Sequence, residues 1–224
     1  KYWQMNIYKR IKAGNSKLLL IFSGWAASPE IFRHLETEPD TNLWICYDYR
    51  RIEFEEDLSD YREISLVAWS LGVWVASVVF AQKQISFTKA VAVNGTPYPV
   101  HDRWGIPETI FRGTLDNITE EGMHRFNRRM CGRRDLLQAY EQIPSRPLAD
   151  IRKELEFLYT EIKKTSSTSL SFNGWTHALI SSGDRIFPTA NLHAFWQDRC
   201  PVTGIEAPHC PFYLWKQWNE IWKQ

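Results

Sequence analysis

Ile64-Ser65-Leu66-Val67-Ala68-Trp69-Ser70-Leu71-Gly72-Val73-Trp74-Val75-Ala76-Ser77-Val78-Val79-Phe80 holds two apolar runs with one serine between them. The first run, 64–68, has the length of a buried strand, and the second, 73–80, continues as a buried helix. Ser70 is flanked two residues away on either side by Ala68 and Gly72. A strand that turns sharply into a helix brings side chains at those two positions nearly into contact, so both must be small. Such a turn lifts a serine hydroxyl clear of the sheet as a nucleophile. The plainer reading is a serine that caps the N-terminus of a buried helix. The nucleophile reading makes a further demand: an acid and then a histidine downstream, in that order.

The rest of the chain has the strand rhythm this turn needs. Trp3 to Ile11 alternates loosely and reads as an edge strand. Lys17–Phe22, Asn42–Tyr47, Thr88–Val93 and His177–Ile180 are continuous apolar runs, and Val202–Glu206 is a weaker one. Continuous rather than alternating runs fit strands covered on both faces. Helices are expected over Pro29–Glu36, behind a Ser28-Pro29 start signal, and over Ala190–Asp198 and Tyr213–Lys223. The alternation predicts an α/β fold: a mostly parallel central sheet with helices on both faces. Between Tyr98 and Ser171 the rhythm stops, and the segment is polar, charged and helical in pattern. It reads as a helical lid insertion at 98–171 within a core of 1–97 and 172–224, one domain overall.

Composition bounds the function. The 224 residues include 44% hydrophobic and 24% charged residues, with eleven tryptophans and a formal net charge of +1. That balance gives no footprint for nucleic acid or an anionic membrane surface. No apolar run approaches the ~20 residues of a membrane span. Cys46, Cys131, Cys200 and Cys210 form no C-x-x-C pair, so neither a zinc site nor a redox motif is signalled. No cofactor or metal is expected. With no secretory leader recognised, the cysteines read as free thiols of a reducing, cytoplasmic compartment.

A serine hydroxyl needs a base, and the base needs a third group to hold it. Of the six histidines, only His209 follows the last strand and precedes the expected terminal helix, in Ala207-Pro208-His209-Cys210-Pro211-Phe212. His177 falls at a strand start, His193 on a helix, and His101 and His124 in the insertion. Asp184 ends the fifth apolar strand in Asp184-Arg185-Ile186-Phe187-Pro188 and is the candidate acid. Its plainer role is to cap the next helix. Asp48 precedes the serine in the chain and reads as a structural partner of Arg50. The oxyanion that forms during acyl transfer needs backbone N–H donors. Leu71, after the serine, and Trp25, in the loop after the early strand, are the candidates; Trp25 can also serve as a core aromatic.

With these residues placed, the chain resembles the α/β-hydrolases over nearly its whole length. Phe22-Ser23-Gly24-Trp25 is similar to the His-Gly-Trp oxyanion loop of that superfamily, with Ser23 in the histidine position. Together with Ala68-Trp69-Ser70-Leu71-Gly72 and Ala207-Pro208-His209-Cys210-Pro211-Phe212, it looks most like the BioG-type pimeloyl-[acyl-carrier protein] methyl ester esterases. The resemblance implies a serine carboxylesterase of biotin precursor synthesis. Ser70, His209 and Asp184 would form its triad, and its substrate would be an acyl carrier protein bearing a pimeloyl methyl ester.

Arg125, Arg128, Arg129 and Arg133 lie close together in the insertion, the first three on one helical face. Arginine suits both the phosphate of a phosphopantetheine arm and the carboxylates of an acidic carrier. The plainer reading is a solvated face balanced by Glu120, Glu121 and Asp135. Two other functions stay open: a general small-ester hydrolase or thioesterase with the same triad, and a non-catalytic binding protein on the same scaffold.

Overall fold

The computed structural model describes residues 4–165 and 172–224. Seven strands form a single sheet: β1 (Asn6–Arg10), β2 (Lys17–Phe22), β3 (Thr41–Tyr47), β4 (Glu63–Trp69), β5 (Lys89–Val93), β6 (His177–Gly183) and β7 (Val202–Pro208). Their order across the sheet is β1-β3-β2-β4-β5-β6-β7. Only β1 is antiparallel to its neighbour. It begins at Asn6; Trp3, where the sequence reading starts it, lies outside the described residues.

Each expected strand is present. The central ones are buried along almost their whole length, as continuous Leu, Ile and Val runs require. β1 and β7 are the edges of the sheet, β1 largely exposed and β7 mostly half-buried, which explains their weaker apolar signal. The chain runs from β2 out to β3 and then back past β2 to β4. With right-handed crossovers, that reversal puts the first connection on one face and the later ones on the other. The aromatic contacts follow this division. Phe22, Phe54 and Phe80 cluster with α1 (Leu71–Phe80) on one face, where Trp175 also meets Trp196 of α6 (Thr189–Trp196). On the other, Phe32 packs against Trp69, Phe212 and Trp218.

Two expected helices are shorter structures. Pro29–Glu36 contains one 3-10 turn, Pro29–Phe32. Tyr213–Lys223 contains no α-helix, only 3-10 turns at Phe212–Leu214 and Trp218–Trp222. One cause explains both. Glu36 N–H donates to the Lys216 carbonyl at 2.8 Å, and Trp218 N–H to the Glu36 carbonyl at 3.0 Å. This parallel bridge takes the backbone groups that a continuing helix would use, and the aromatic packing around Phe32 secures it.

Between β5 and β6 the described residues carry four helices and no strand: α2 (Glu108–Leu115), α3 (Glu120–Cys131), α4 (Arg134–Glu141) and α5 (Leu148–Thr165). The end of the expected insertion, 166–171, lies outside the described residues. Thr119 caps α3 by accepting from Gly122 N–H, and Gly132 ends it in the left-handed region at φ 68°. No described helix is long and apolar enough to cross a membrane.

The backbone is tight where α1 meets the ends of β2, β4 and β5. A Cβ on Gly72 would stand 2.4 Å from the Phe22 carbonyl oxygen, and one on Gly95 would stand 2.3 Å from that of Ser70. Gly95→Ala should therefore destabilise the protein by about 1–3 kcal/mol, the usual range for overpacking. A Cβ on Gly113 of α2 would meet nothing within 4 Å, so Gly113→Ala serves as the control. Equal urea midpoints for the two variants would contradict this packing.

Candidate active site

Ser70 sits between β4 and α1 with φ 57° and ψ −126°, a strained conformation for a residue with a side chain. Its N–H donates to the Val93 carbonyl at 3.0 Å, which ties the turn to the end of β5. Although it holds the N-cap position of α1, its side chain makes no capping bond. The hydroxyl instead lies 3.0 Å from His209 Nε2.

His209 follows β7 and is nearly fully buried. Its Nδ1 is 2.8 Å from Asp184 Oδ2. The other oxygen of Asp184 accepts from the N–H groups of Ile186 and Phe187 at 2.8 and 2.9 Å. The aspartate thus folds its own loop and still presents one oxygen to the imidazole; it does not cap α6, whose N-cap is Pro188. Phe187 stacks on the imidazole at 6.1 Å and 8°. The His209 carbonyl accepts from the Trp69 indole N–H and from Asn94 Nδ2, each at 2.9 Å. Ring and backbone of His209 are therefore both fixed.

Asn94 is one residue whose importance the sequence does not announce. It stands at φ 47° just after β5 and buries all but 1% of its surface. Besides holding His209, its amide donates to Ser181 Oγ at 2.7 Å and accepts from Ser181 N–H at 2.8 Å. In the sequence it is only the first residue of an Asn-Gly turn.

A narrow, mostly apolar cavity ends at this group. Gly24, Trp25, Ser70, Leu71 and His209 line its floor, and Ile106, Phe111, Met130, Leu155 and Ile186 its walls. Leu71 is the first residue of α1, so its N–H has no intrahelical acceptor. The Trp25 N–H likewise has no acceptor among the described residues. Gly24 lets the loop lie against the Trp69 ring, 3.0 Å from where a Cβ would be. Trp25 and Leu71, the residues expected to supply oxyanion donors, thus line the same cavity as Ser70 and His209.

The arginines divide. Arg125, Arg128 and Arg129 of α3 line one groove with Ile110, Thr114 and Phe126, and the last three of these together with Arg129 also line the cavity. Arg125 pairs with Glu121 at 2.6 Å one turn earlier. Arg133 is elsewhere: it follows the Gly132 turn, pairs with Asp135 and faces a second groove beside Arg185 and Glu206. The left-handed residue between the helices redirects it, which the spacing of arginines along the sequence does not reveal.

Asp48 pairs with Arg50 through two bonds of 2.8 and 2.7 Å, and with Arg146 at 2.6 Å. Burial pushes its carboxyl up, but the two arginines outweigh burial and the net direction is down. Arg146 also reaches Glu154 of α5 at 2.7 Å. Burial dominates for Glu154 and raises its proton affinity, against Arg146 and the Tyr49 N–H. Among the described residues no group of three or more His, Cys, Asp or Glu could hold a metal ion.

The sheet order, the strained serine turn and the position of His209 after the last strand define an α/β-hydrolase fold. A solved lipase-esterase related protein from Clostridium acetobutylicum shares this fold with a TM-score of 0.65 at 14% identity, over 94% of this chain and 93% of its own. The match to the pimeloyl-ACP methyl esterase BioG family spans residues 6–221, and the chain belongs to that family. The crystal structure of BioG from Haemophilus influenzae superposes with a TM-score of 0.90 at 39% identity, covering 97% of this chain and all of that one. A malonyl-[acyl-carrier protein] O-methyltransferase from Bacteroides fragilis is 40% identical over 187 residues, which are 81% of this chain and 37% of that protein.

Asn94→Ala should remove three hydrogen bonds and leave the Ser181 N–H without its acceptor. Stability should fall by about 1–3 kcal/mol, read as a lower urea midpoint. An unchanged midpoint would mean that Asn94 does not brace the His209 loop.

Proposed function

We propose that the protein is a serine carboxylesterase that hydrolyses the methyl ester of a pimeloyl chain carried on acyl carrier protein, a step of biotin precursor synthesis. The observation that carries this reading is the chain of contacts from Asp184 through His209 to Ser70, at 2.8 and 3.0 Å, on the floor of an apolar cavity. Family membership supports the substrate.

The chemistry follows from the contacts. Ser70 Oγ attacks the ester carbonyl while His209 Nε2 takes its proton, and Asp184 stabilises the resulting imidazolium. Negative charge develops on the carbonyl oxygen, where the N–H groups of Leu71 and Trp25 meet it. His209 returns the proton to the departing methoxide, and methanol leaves. Water, deprotonated by the same histidine, then attacks the acyl-enzyme, and His209 returns that proton to the departing Ser70 Oγ. The product is a free carboxylate at the end of the pimeloyl chain, still attached to its carrier.

The wall of the cavity suits the methylenes of such a chain, and its continuation over Arg129 gives the carrier's arm a way in. The cationic side of that groove, with Arg125, Arg128 and Arg129, fits the phosphate of the arm and the acidic carrier surface. Arg133, turned to the second groove, is a docking contact only if the carrier spans both.

Two measurements test this. Ser70→Ala should abolish turnover, and Asp184→Asn should lower kcat by about 10⁴, as loss of the histidine's anchor does in serine hydrolases. Arg125→Glu with Arg128→Glu should reduce kcat/KM on the carrier-bound methyl ester by about tenfold or more, the scale of a lost interfacial charge contact. Hydrolysis of a short p-nitrophenyl ester should stay within about twofold of wild type, because no ester atom of that substrate reaches the arginines. If only the small ester is cleaved by wild type, the protein is a general esterase. If both substrates respond alike to the arginine changes, this groove is not where the carrier binds.

A further inference from the structure

α5 carries an ionisable side chain where its neighbours are apolar. Ile151, Leu155, Leu158 and Ile162 form its buried stripe, and Glu154 lies within the same stripe with no exposed surface. A carboxylate so placed needs a full set of donors. Oε1 accepts from the Tyr49 N–H at 2.8 Å. Oε2 accepts from Arg146 at 2.7 Å and from the Ala26 N–H at 3.3 Å.

The third donor is the informative one. Ala26 follows Trp25 in the loop after β2 and stands at φ 66°, in the left-handed region. For an alanine that conformation costs roughly 1–2 kcal/mol, and it sets the direction of the peptide groups around it. α5 grips the same loop a second time, since the Trp25 indole N–H donates to the Ile151 carbonyl at 2.9 Å. Phe126 of α3 meets the Trp25 ring edge-on at 5.0 Å.

We propose that Glu154 is a positioning residue for the oxyanion hole: its carboxylate holds Ala26 in the left-handed conformation and so aims the Trp25 N–H at the oxygen on which charge develops. The inference rests on the serine-esterase reading above. Glu154 touches no substrate atom; it acts through the loop. Arg146 keeps its carboxylate in place from the segment before α5, and Asp48 shares that arginine at the end of β3.

Reach and charge can be separated by two variants. Glu154→Asp keeps the charge but is one methylene short; Arg146 can follow it, whereas the backbone of Ala26 cannot. Glu154→Gln keeps the length and an acceptor oxygen but loses the charge. Kinetics are read on a short p-nitrophenyl ester with the full chain. An alkyl trifluoromethyl ketone, which forms a hemiketal oxyanion with the serine, is titrated in parallel, and folding is followed by circular dichroism.

Glu154→Asp should lower kcat about tenfold below Glu154→Gln with KM within about twofold, a part of the ~10²–10³ lost with a whole oxyanion donor. Ketone affinity should fall by the same factor as kcat. Adding Ala26→Gly to Glu154→Asp should recover part of both, because glycine occupies the left-handed region without the alanine's penalty. A role confined to the buried ion pair reverses the order, with Gln worse than Asp and no rescue by glycine, and would overturn the inference. If wild type does not cleave the ester, or Ser70→Ala still does, the serine-esterase reading fails and takes this one with it. If turnover depends on Ser70 but the order is reversed, only the role of Glu154 is lost.

Discussion

Everything at the site depends on how closely three backbones approach at the centre of the sheet. Ser70 holds a positive φ because β4 must end and α1 begin within one residue, directly against β2 and β5. Gly72 lies against the carbonyls of Phe22 and Ser23, and Gly95 against that of Ser70. No side chain fits either contact. The serine hydroxyl is thereby lifted over the carboxyl ends of the parallel strands, where ligands of such sheets bind. The loops after β2, β6 and β7 come to the same place, bringing Trp25, Asp184 and His209.

Around that centre, buried polar contacts take over from apolar packing. Asn94 and the Trp69 indole hold the backbone of His209, and the loop of Asp184 is folded by its own carboxylate. On the opposite wall, Arg146 joins Asp48, just after β3, to Glu154 of α5. The helices between β5 and β6 are thus fastened to the loops of the site by hydrogen bonds, and their apolar faces complete the cavity. In the proposed reaction they shape the acyl channel and position a donor, while α3 turns its arginines toward the mouth.

The strands were legible because burial on both faces leaves continuous apolar runs. The candidate triad was legible because each member ends such a run in the chain order serine, acid, histidine. Both are local patterns. The missing helices at Pro29–Glu36 and Tyr213–Lys223 were not, since a bridge between Glu36 and the 216–218 segment decides them across 180 residues of chain. Arg133 reads as part of one basic cluster, but the left-handed Gly132 turns it to another groove. Glu154 left a trace, a carboxylate in register with Ile151, Leu155 and Leu158. Its partners, Ala26 and Tyr49, lie more than 100 residues earlier, so its part in the site follows only from the folded chain.

In the proposed reaction, His209 and Asp184 make Ser70 a nucleophile at the end of the cavity. Reaction with an alkyl fluorophosphonate, followed by intact mass and peptide mapping, tests it most directly. One adduct per chain is expected, on the peptide that contains Ser70, absent in Ser70→Ala and strongly slowed in His209→Ala. Labelling on another residue, or none in a folded wild-type protein, would contradict it.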